Sequence, residues 1–272
     1  MVVSIMQNKI VNYYSDYNEY RRLRERHSLE RIRSEHIISR YITHKPLKIL
    51  DIGGGPGVYS FWLAEQGHQV TLLDLVPKHI EQAEEYARES GISLESMLIG
   101  DACALPFEDN AFDMVLFMGP LYHLNAKVKR MQALSEAKRV LKAQGILIAA
   151  AISRYASLID GLKENFINDP DFMAILGEDL EAGNHENPKG NPNYFTSAHF
   201  HLPEELKGEV CEAGFAFHGL YAVECFAGIV GDIEEKLQDE TFKRRCLDLL
   251  HKIESNPSVI GATYHLMVTG YK

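Results

Sequence analysis

Between residues 48 and 151, short unbroken apolar runs alternate with stretches of helical periodicity. Residues 48–52, 69–74, 94–100, 112–118 and 145–151 read as strands, since continuous apolar runs bounded by turn residues suit a sheet buried on both faces. Residues 59–66 predict a helix that stops at Gly67. The next helix starts at Pro77, turns Ile80, Ala83 and Ala87 inward and Glu81, Glu84 and Glu85 outward, and stops at Gly91. Residues 127–142 predict a third, with Val128, Met131, Leu134 and Leu141 on its inner face. Strand–helix alternation of this kind gives an α/β, doubly wound fold around a mainly parallel sheet.

The flanks break this rhythm. The N-terminal segment carries Tyr13, Tyr14, Tyr17 and Tyr20, then Arg21, Arg22, Arg24, Arg26, Arg31 and Arg33 with Glu25, Glu30 and Glu35 between them. Leu29, Ile32 and Ile37 predict a helix over most of residues 18–42, with the charges either on a solvated face or placing a tyrosine or arginine over a ligand. Residues 155–200 are too long for a simple connection, and Leu158, Leu162 and Phe166 point to an ordered helical insertion. A helix over 203–213, a strand over 215–224, an amphipathic insertion over 232–254 and a closing strand over 262–269 complete the chain. In that second insertion Phe242, Cys246, Leu249, Leu250 and Ile253 share a stripe. The expected organisation is a helical cap over residues 1–45 and one domain over 46–272, with insertions 155–200 and 225–258 forming a lid.

Composition narrows the function. The 272 residues are 46% hydrophobic and 24% charged, ordinary for a globular chain. A net charge of −10 argues against a non-specific nucleic-acid binder. Cys103, Cys211, Cys225 and Cys246 are widely spaced, which predicts reduced thiols in a cytoplasmic protein. No signal-peptide pattern opens the chain, and no apolar run has the length of a membrane span.

Chemistry concentrates after the strands. Asp51 ends the first, followed by Gly53, Gly55 and Gly57; Asp74 ends the second, and Asp101 follows the third. Open α/β sheets bind ligands at this edge, and an acid about 20 residues past a glycine turn is the usual acceptor for ribose hydroxyls. A dinucleotide fingerprint would place its third glycine where Val58 stands, and would leave Asp101 unexplained. That keeps an NAD(P)-dependent oxidoreductase as the weaker alternative.

The pattern Asp51-x-Gly53-x-Gly55-x-Gly57, then Asp74, then Gly100-Asp101-Ala102-x-x-Leu105-Pro106-Phe107-x-Asp109-x-x-Phe112-Asp113 resembles the class I S-adenosylmethionine (SAM)-dependent methyltransferases. It is most similar to the methyltransferase type 11 branch that includes the ubiquinone and menaquinone C-methyltransferases. The likeness covers residues 48–151, and residues 200–215 resemble the helix and strand that finish such domains. It implies a seven-stranded sheet with an antiparallel last strand and SAM as cofactor. By resemblance, Gly53 and Gly55 pass under the methionine portion, with Gly57 completing the turn and Asp51 reaching toward the amino group. Asp74, with Leu75 beside it, would accept the ribose hydroxyls. Asp101 and the Ala102 amide would hold the adenine, and Met118, Gly119 and Pro120 would line the methionine pocket. The ligand's ammonium, diol and exocyclic amine are all donors, and ionised carboxylates only accept, so the chemistry agrees.

Methyl transfer needs alignment first, and a base only when the acceptor must lose a proton. Tyr122 and His123 stand where the family puts acceptor-facing residues and are the catalytic candidates. The Asn/Asp-Pro-Pro-aromatic motif of DNA and amide methylation is replaced by Gly119-Pro120-Leu121-Tyr122, which favours a small-molecule acceptor over nucleic acid. His199 and His201, which would share a face of an extended segment, and His185 are further acceptor-site candidates. No metal ligand set is expected. A SAM-binding protein without transferase activity stays open as an alternative.

Overall fold

The computed structural model describes residues 13–14, 28–42 and 46–272. At its centre is a seven-stranded sheet in the order β3-β2-β1-β4-β5-β9-β8. The strands are β1 (Lys48–Ile52), β2 (Gln69–Asp74), β3 (Ser96–Ile99), β4 (Phe112–Phe117), β5 (Leu141–Ile152), β8 (Ala216–Ala222) and β9 (His265–Tyr271). All pairings are parallel except those of β9, which runs antiparallel to both β5 and β8. The short strands β6 (Asn184–His185) and β7 (Ala198–His199) form a separate antiparallel pair.

Alternation along the strands builds two cores, because successive side chains leave opposite faces of a sheet. Leu50, Ile52, Val115, Phe117, Leu147 and Ala149 share one cluster with Ala133, Leu134 and Leu206. Ile49, Met114, Leu116, Ile148 and Met267 share the other with Ile37, Ile38, Tyr59 and Leu63. The first is covered by helices α5 (Lys127–Val140) and α8 (Pro203–Glu212), the second by α1 (Ser28–Ser39) and α2 (Val58–Glu65). Helix α3 (Pro77–Ser90) packs Ile80 and Ala83 against Phe61 and Leu72 and ends at Gly91 with φ +73°.

Several expectations shift. Helix α5 gives way at Leu141 to a strand expected only from residue 145, and its buried face is Arg130, Ala133, Leu134, Ala137 and Val140. Val128 is 73% exposed, because the helix is turned so that Arg130 can meet Glu209 of α8. Leu162 is likewise exposed, although Leu158 and Phe166 pack against the Phe172, Ile175, Leu176 and Tyr194 cluster. The insertion over 155–200 contains α6 (Ala156–Lys163) and α7 (Pro170–Ala182).

The insertion over 232–254 contains α9 (Ile233–Lys236) and α10 (Glu240–Ile253), and α10 buries Leu250 while Leu249 and Phe242 face outward. This region braces α1: Arg33 and Arg40 both pair with Glu254, and the Ser28 hydroxyl donates to Glu234. Of the expected N-terminal helix, α1 is the part inside the described residues. Tyr17, Tyr20, Arg21, Arg22, Arg24, Glu25 and Arg26 lie outside them.

Candidate functional site

The turn after β1 is where the backbone is least ordinary. Gly53, Gly55 and Gly57 all have positive φ, at +68°, +57° and +86°. At Gly53 a Cβ would also stand 2.8 Å from Cδ of Pro120, so glycine is required there by conformation and by space. Its amide donates to the Leu73 carbonyl at 2.7 Å, which ties the turn to β2. Gly119 crosses so close that a Cβ would lie 3.0 Å from the Gly53 carbonyl. Gly57 opens α2.

A cavity of about 430 Å³ lies over the carboxyl edge of the sheet. Gly53, Gly55, Asp74, Leu75, Asp101, Ala102, Met118, Gly119, Tyr122 and His123 all line it. The Asp74 carboxylate organises its floor. One oxygen accepts from the Gly55 amide at 2.8 Å, and the other from the Val76 amide at 2.8 Å and His79 Nδ1 at 3.0 Å. An ionised carboxylate offers about four lone-pair positions, so acceptor capacity is left over. Asp101 accepts from the Cys103 amide at 2.8 Å.

Asp51 and Gly57 do not line the cavity. The Asp51 carboxyl is fully buried beneath the turn, where one oxygen accepts from Ser60 Oγ at 2.7 Å and the other has no partner. Burial, aided by the nearby Asp74 charge and opposed by the Ser60 hydrogen bond, pushes its pKa up to about 7. Gly57 turns the chain into α2, where a Cβ would meet the Phe61 ring at 2.9 Å.

His123 accepts or donates at Nε2 with the Tyr14 hydroxyl at 2.9 Å and stacks on Phe195. Burial drives its pKa down to about 4, against the pull of Asp74, so the imidazole is neutral near pH 7. Tyr122, on the short helix α4 (Pro120–His123), donates to the Met118 carbonyl at 2.9 Å. Tyr14 packs edge-on against both His79 and His123 and lines the cavity. Of the insertion residues, Phe195 touches its rim through His123, while none of 155–200 or 225–258 lines it.

His185, His199 and His201 lie away from the cavity. His185 pairs with Asp179 at 2.8 Å and stacks on Phe200. His201 meets Glu209, which also takes a forked contact from Arg130. Burial alone would raise the Glu209 carboxyl, but hydrogen bonds from His201 and Arg130 hold it at about 2. Burial and the neighbouring His201 push His199 down to about 3. His185–Asp179 and His201–Glu209 are thus buried pairs, with His199 packed edge-on against His201.

The other end of the cavity holds residues that sequence reasoning did not pick out. Glu30 and Ser34 come from α1, Ala150 from β5, Val223 from the end of β8 and His265 from the start of β9. Glu224 stands behind His265, and Glu30, Glu224 and His265 each bring one polar atom within 4.8 Å of the others. Glu224 and His265 are separated by 41 positions, so no local pattern could have paired them. His79 was legible only as the third residue of a helix whose first turn follows Asp74.

Residues 50–149 match the methyltransferase domain family. The ubiquinone/menaquinone biosynthesis C-methyltransferase of Ruegeria sp. is 35% identical over 120 residues, covering 43% of this chain and 46% of that protein. The chain spans about half the length of the curated relatives it matches. A SAM-dependent methyltransferase structure from Methanosarcina mazei superposes with a TM-score of 0.59 at 20% identity, covering 86% of this chain and 96% of that one. The 1,6-didemethyltoxoflavin-N1-methyltransferase of Burkholderia thailandensis, solved with bound 1,6-didemethyltoxoflavin and S-adenosylhomocysteine, gives a TM-score of 0.60 at 16% identity, with 100% of this chain and 92% of that one covered. Residues 50–149 thus match a methyltransferase domain, and the chain as a whole shares the fold of these solved structures.

Proposed function

We propose that this protein transfers a methyl group from SAM to a small-molecule acceptor in the cavity above the sheet edge. The observation that carries the reading is that one cavity is lined by the positive-φ glycine turn, by Asp74 and by Asp101. The residues fit the ligand: acceptors stand at the ends of successive strands, and the turn is free of side chains at Gly53 and Gly55. Asp74 would hold the ribose diol, Asp101 and the Ala102 amide the adenine, and Leu75, Met118 and Gly119 the apolar walls. Asp51 would act from beneath the turn by its charge, through the backbone or a water. SAM supplies an electrophilic methyl group on a sulfonium centre.

The chain's own contribution is alignment and exclusion of water. Tyr14, His123 and Tyr122 form one wall, with His123 neutral and placed by Tyr14 and Phe195. Insertions 155–200 and 225–258, with the N-terminal cap, are proposed as the lid: Phe195 reaches the rim, and Glu254 holds the helix that carries Glu30 and Ser34. Four free cysteines and the absence, among the described residues, of a helix long and apolar enough to cross a membrane support placement in the cytoplasm.

The test is a screen of metabolite extracts incubated with protein and SAM, read by mass spectrometry. A product heavier by about 14 mass units, formed together with S-adenosylhomocysteine, is expected. SAM bound but never consumed would support a binding protein instead.

A further inference from the structure

The insertion over 155–200 carries a buried histidine whose two ring nitrogens both face acceptors. His185, on β6, stacks on Phe200. Its Nδ1 lies 2.8 Å from Asp179 Oδ2 on α7, and its Nε2 lies 3.2 Å from the Phe195 carbonyl oxygen. A carbonyl only accepts, so Nε2 carries a proton. The 2.8 Å contact then needs a second one, either on Nδ1 beside a carboxylate or on Asp179 Oδ2 beside a neutral ring. In both forms the pair is neutral overall and holds one proton more than a carboxylate facing a neutral imidazole. The Asp179 side chain is fully buried and its other oxygen has no partner, so a net negative charge there would be costly.

The surrounding elements bring no other charge into contact with the ring among the described residues. Ser157 Oγ of α6 stands 3.5 Å from Nδ1 and is neutral. Asp160 of the same helix turns to Tyr264, while Lys163 of α6 and Glu178 and Glu181 of α7 are exposed. Arg154 donates to the Phe200 carbonyl at 2.9 Å and pairs with Glu205. His199, on the paired strand β7, is neutral, its pKa pushed down to about 3 by burial and by His201. The segment that His185 anchors also frames the cavity in two places. Phe195, whose carbonyl accepts from Nε2, stacks on His123. Glu186, the next residue along, accepts from Ser197 Oγ at 2.6 Å and from Asn125 Nδ2 at 3.1 Å, and Asn125 lines the cavity.

We propose that His185 and Asp179 form a proton-dependent latch that clamps residues 184–197 onto the rim of the cavity. With the shared proton in place, both nitrogens are satisfied and the segment is tied to α7 at one end and through the Phe195 carbonyl at the other. Without it, one of the two hydrogen bonds is lost and a buried carboxylate is left uncompensated. The sign follows from the proton count. Below about pH 6.5 a released, solvated histidine is also protonated, so closing neither takes up nor releases a proton. Above that pH the open segment gives its proton up while the closed pair keeps it. Closure therefore weakens as pH rises, by up to tenfold per pH unit for one proton. The exposed Lys189–Asp171 pair, which ties the same segment to α7, keeps its charges over this range and adds little. Opening would draw Phe195 off His123 and Glu186 off Asn125, so the latch sets how tightly the rim is held.

The test is hydrogen–deuterium exchange of the full chain, read by mass spectrometry at pH 6.5 and 8.5 and normalised to the chemical exchange rate at each pH. In wild type, peptides covering 184–199 should open about ten- to a hundredfold more at pH 8.5 than at 6.5, while peptides from the central sheet keep their protection. His185→Gln has no proton to lose and reaches only one of the two acceptors, so its segment should be open to the same extent at both pH values. Asp179→Asn separates a latch from a merely structural pair. Its amide can donate to Nδ1 permanently while Nε2 still donates to Phe195, so the segment should stay protected at both pH values. The proposal is overturned if wild-type protection of 184–199 does not change with pH, if His185→Gln keeps the wild-type change, or if Asp179→Asn opens the segment at pH 6.5.

Discussion

Replacing Asp51 by Asn is expected to stabilise the free protein, and increasingly so as pH rises. The folded-state pKa of Asp51 is about 7 against an ordinary 3.8, with burial as the main cause. Between those values the folded state holds a proton that the unfolded chain has released, so the group costs stability as pH climbs. Three units at 1.36 kcal/mol each give a cost of roughly 4 kcal/mol above neutrality, falling to almost nothing near pH 4. Asparagine keeps an acceptor for Ser60 Oγ and removes the charge; its amide takes the place of the carboxyl oxygen that already lacks a partner. Urea unfolding at about pH 5, 6.5 and 8 should show the variant's advantage growing by about 2–3 kcal/mol across the series. The same variant should bind SAM at least tenfold more weakly, a trade of function for stability. A stability gap that stays flat with pH would refute a buried, reluctantly ionised Asp51.

Gly53→Ala combines a positive φ with a Cβ 2.8 Å from Pro120, so it should cost on the order of 1–3 kcal/mol in thermal unfolding and weaken SAM in calorimetry. Glu209→Ala strands the buried Arg130 guanidinium and should destabilise by about 3–5 kcal/mol in urea titration, far more than loss of the exposed Lys127–Glu212 pair. His123 is neutral when folded, down to about pH 4, but the unfolded chain takes up its proton near 6.5. Stability should therefore fall as pH drops from 6.5 toward 4, and His123→Gln should remove part of that slope, at most about 3 kcal/mol because the ring borders the cavity.

What the sequence revealed and what it hid follow the range of the interactions. The strands over 48–52 and 69–74 coincide with Lys48–Ile52 and Gln69–Asp74, since an apolar run between a turn and an acid is a local signal. The glycine turn was legible for the same reason, and its three positive φ values are what that spacing serves. Long-range pairing left no such mark. Arg130 reads as one more charge on a helix, yet Glu209 draws it inward and sends Val128 to the surface. The Ser60 hydrogen bond that holds Asp51 under the turn likewise left no mark in the sequence. His199 and His201 advertise a site by their alternation, but Glu209 and burial account for them. Glu224 and His265 carried no signal at all, because the antiparallel turn of β9 is what brings them together.

The central claim is that the cavity over Gly53, Asp74 and Asp101 is a SAM site. Titration calorimetry of the purified protein with SAM, S-adenosylhomocysteine and NAD tests it most directly. Saturable one-to-one binding of SAM and S-adenosylhomocysteine, with none of NAD, is the predicted result. Tight binding of NAD with no response to SAM would contradict it.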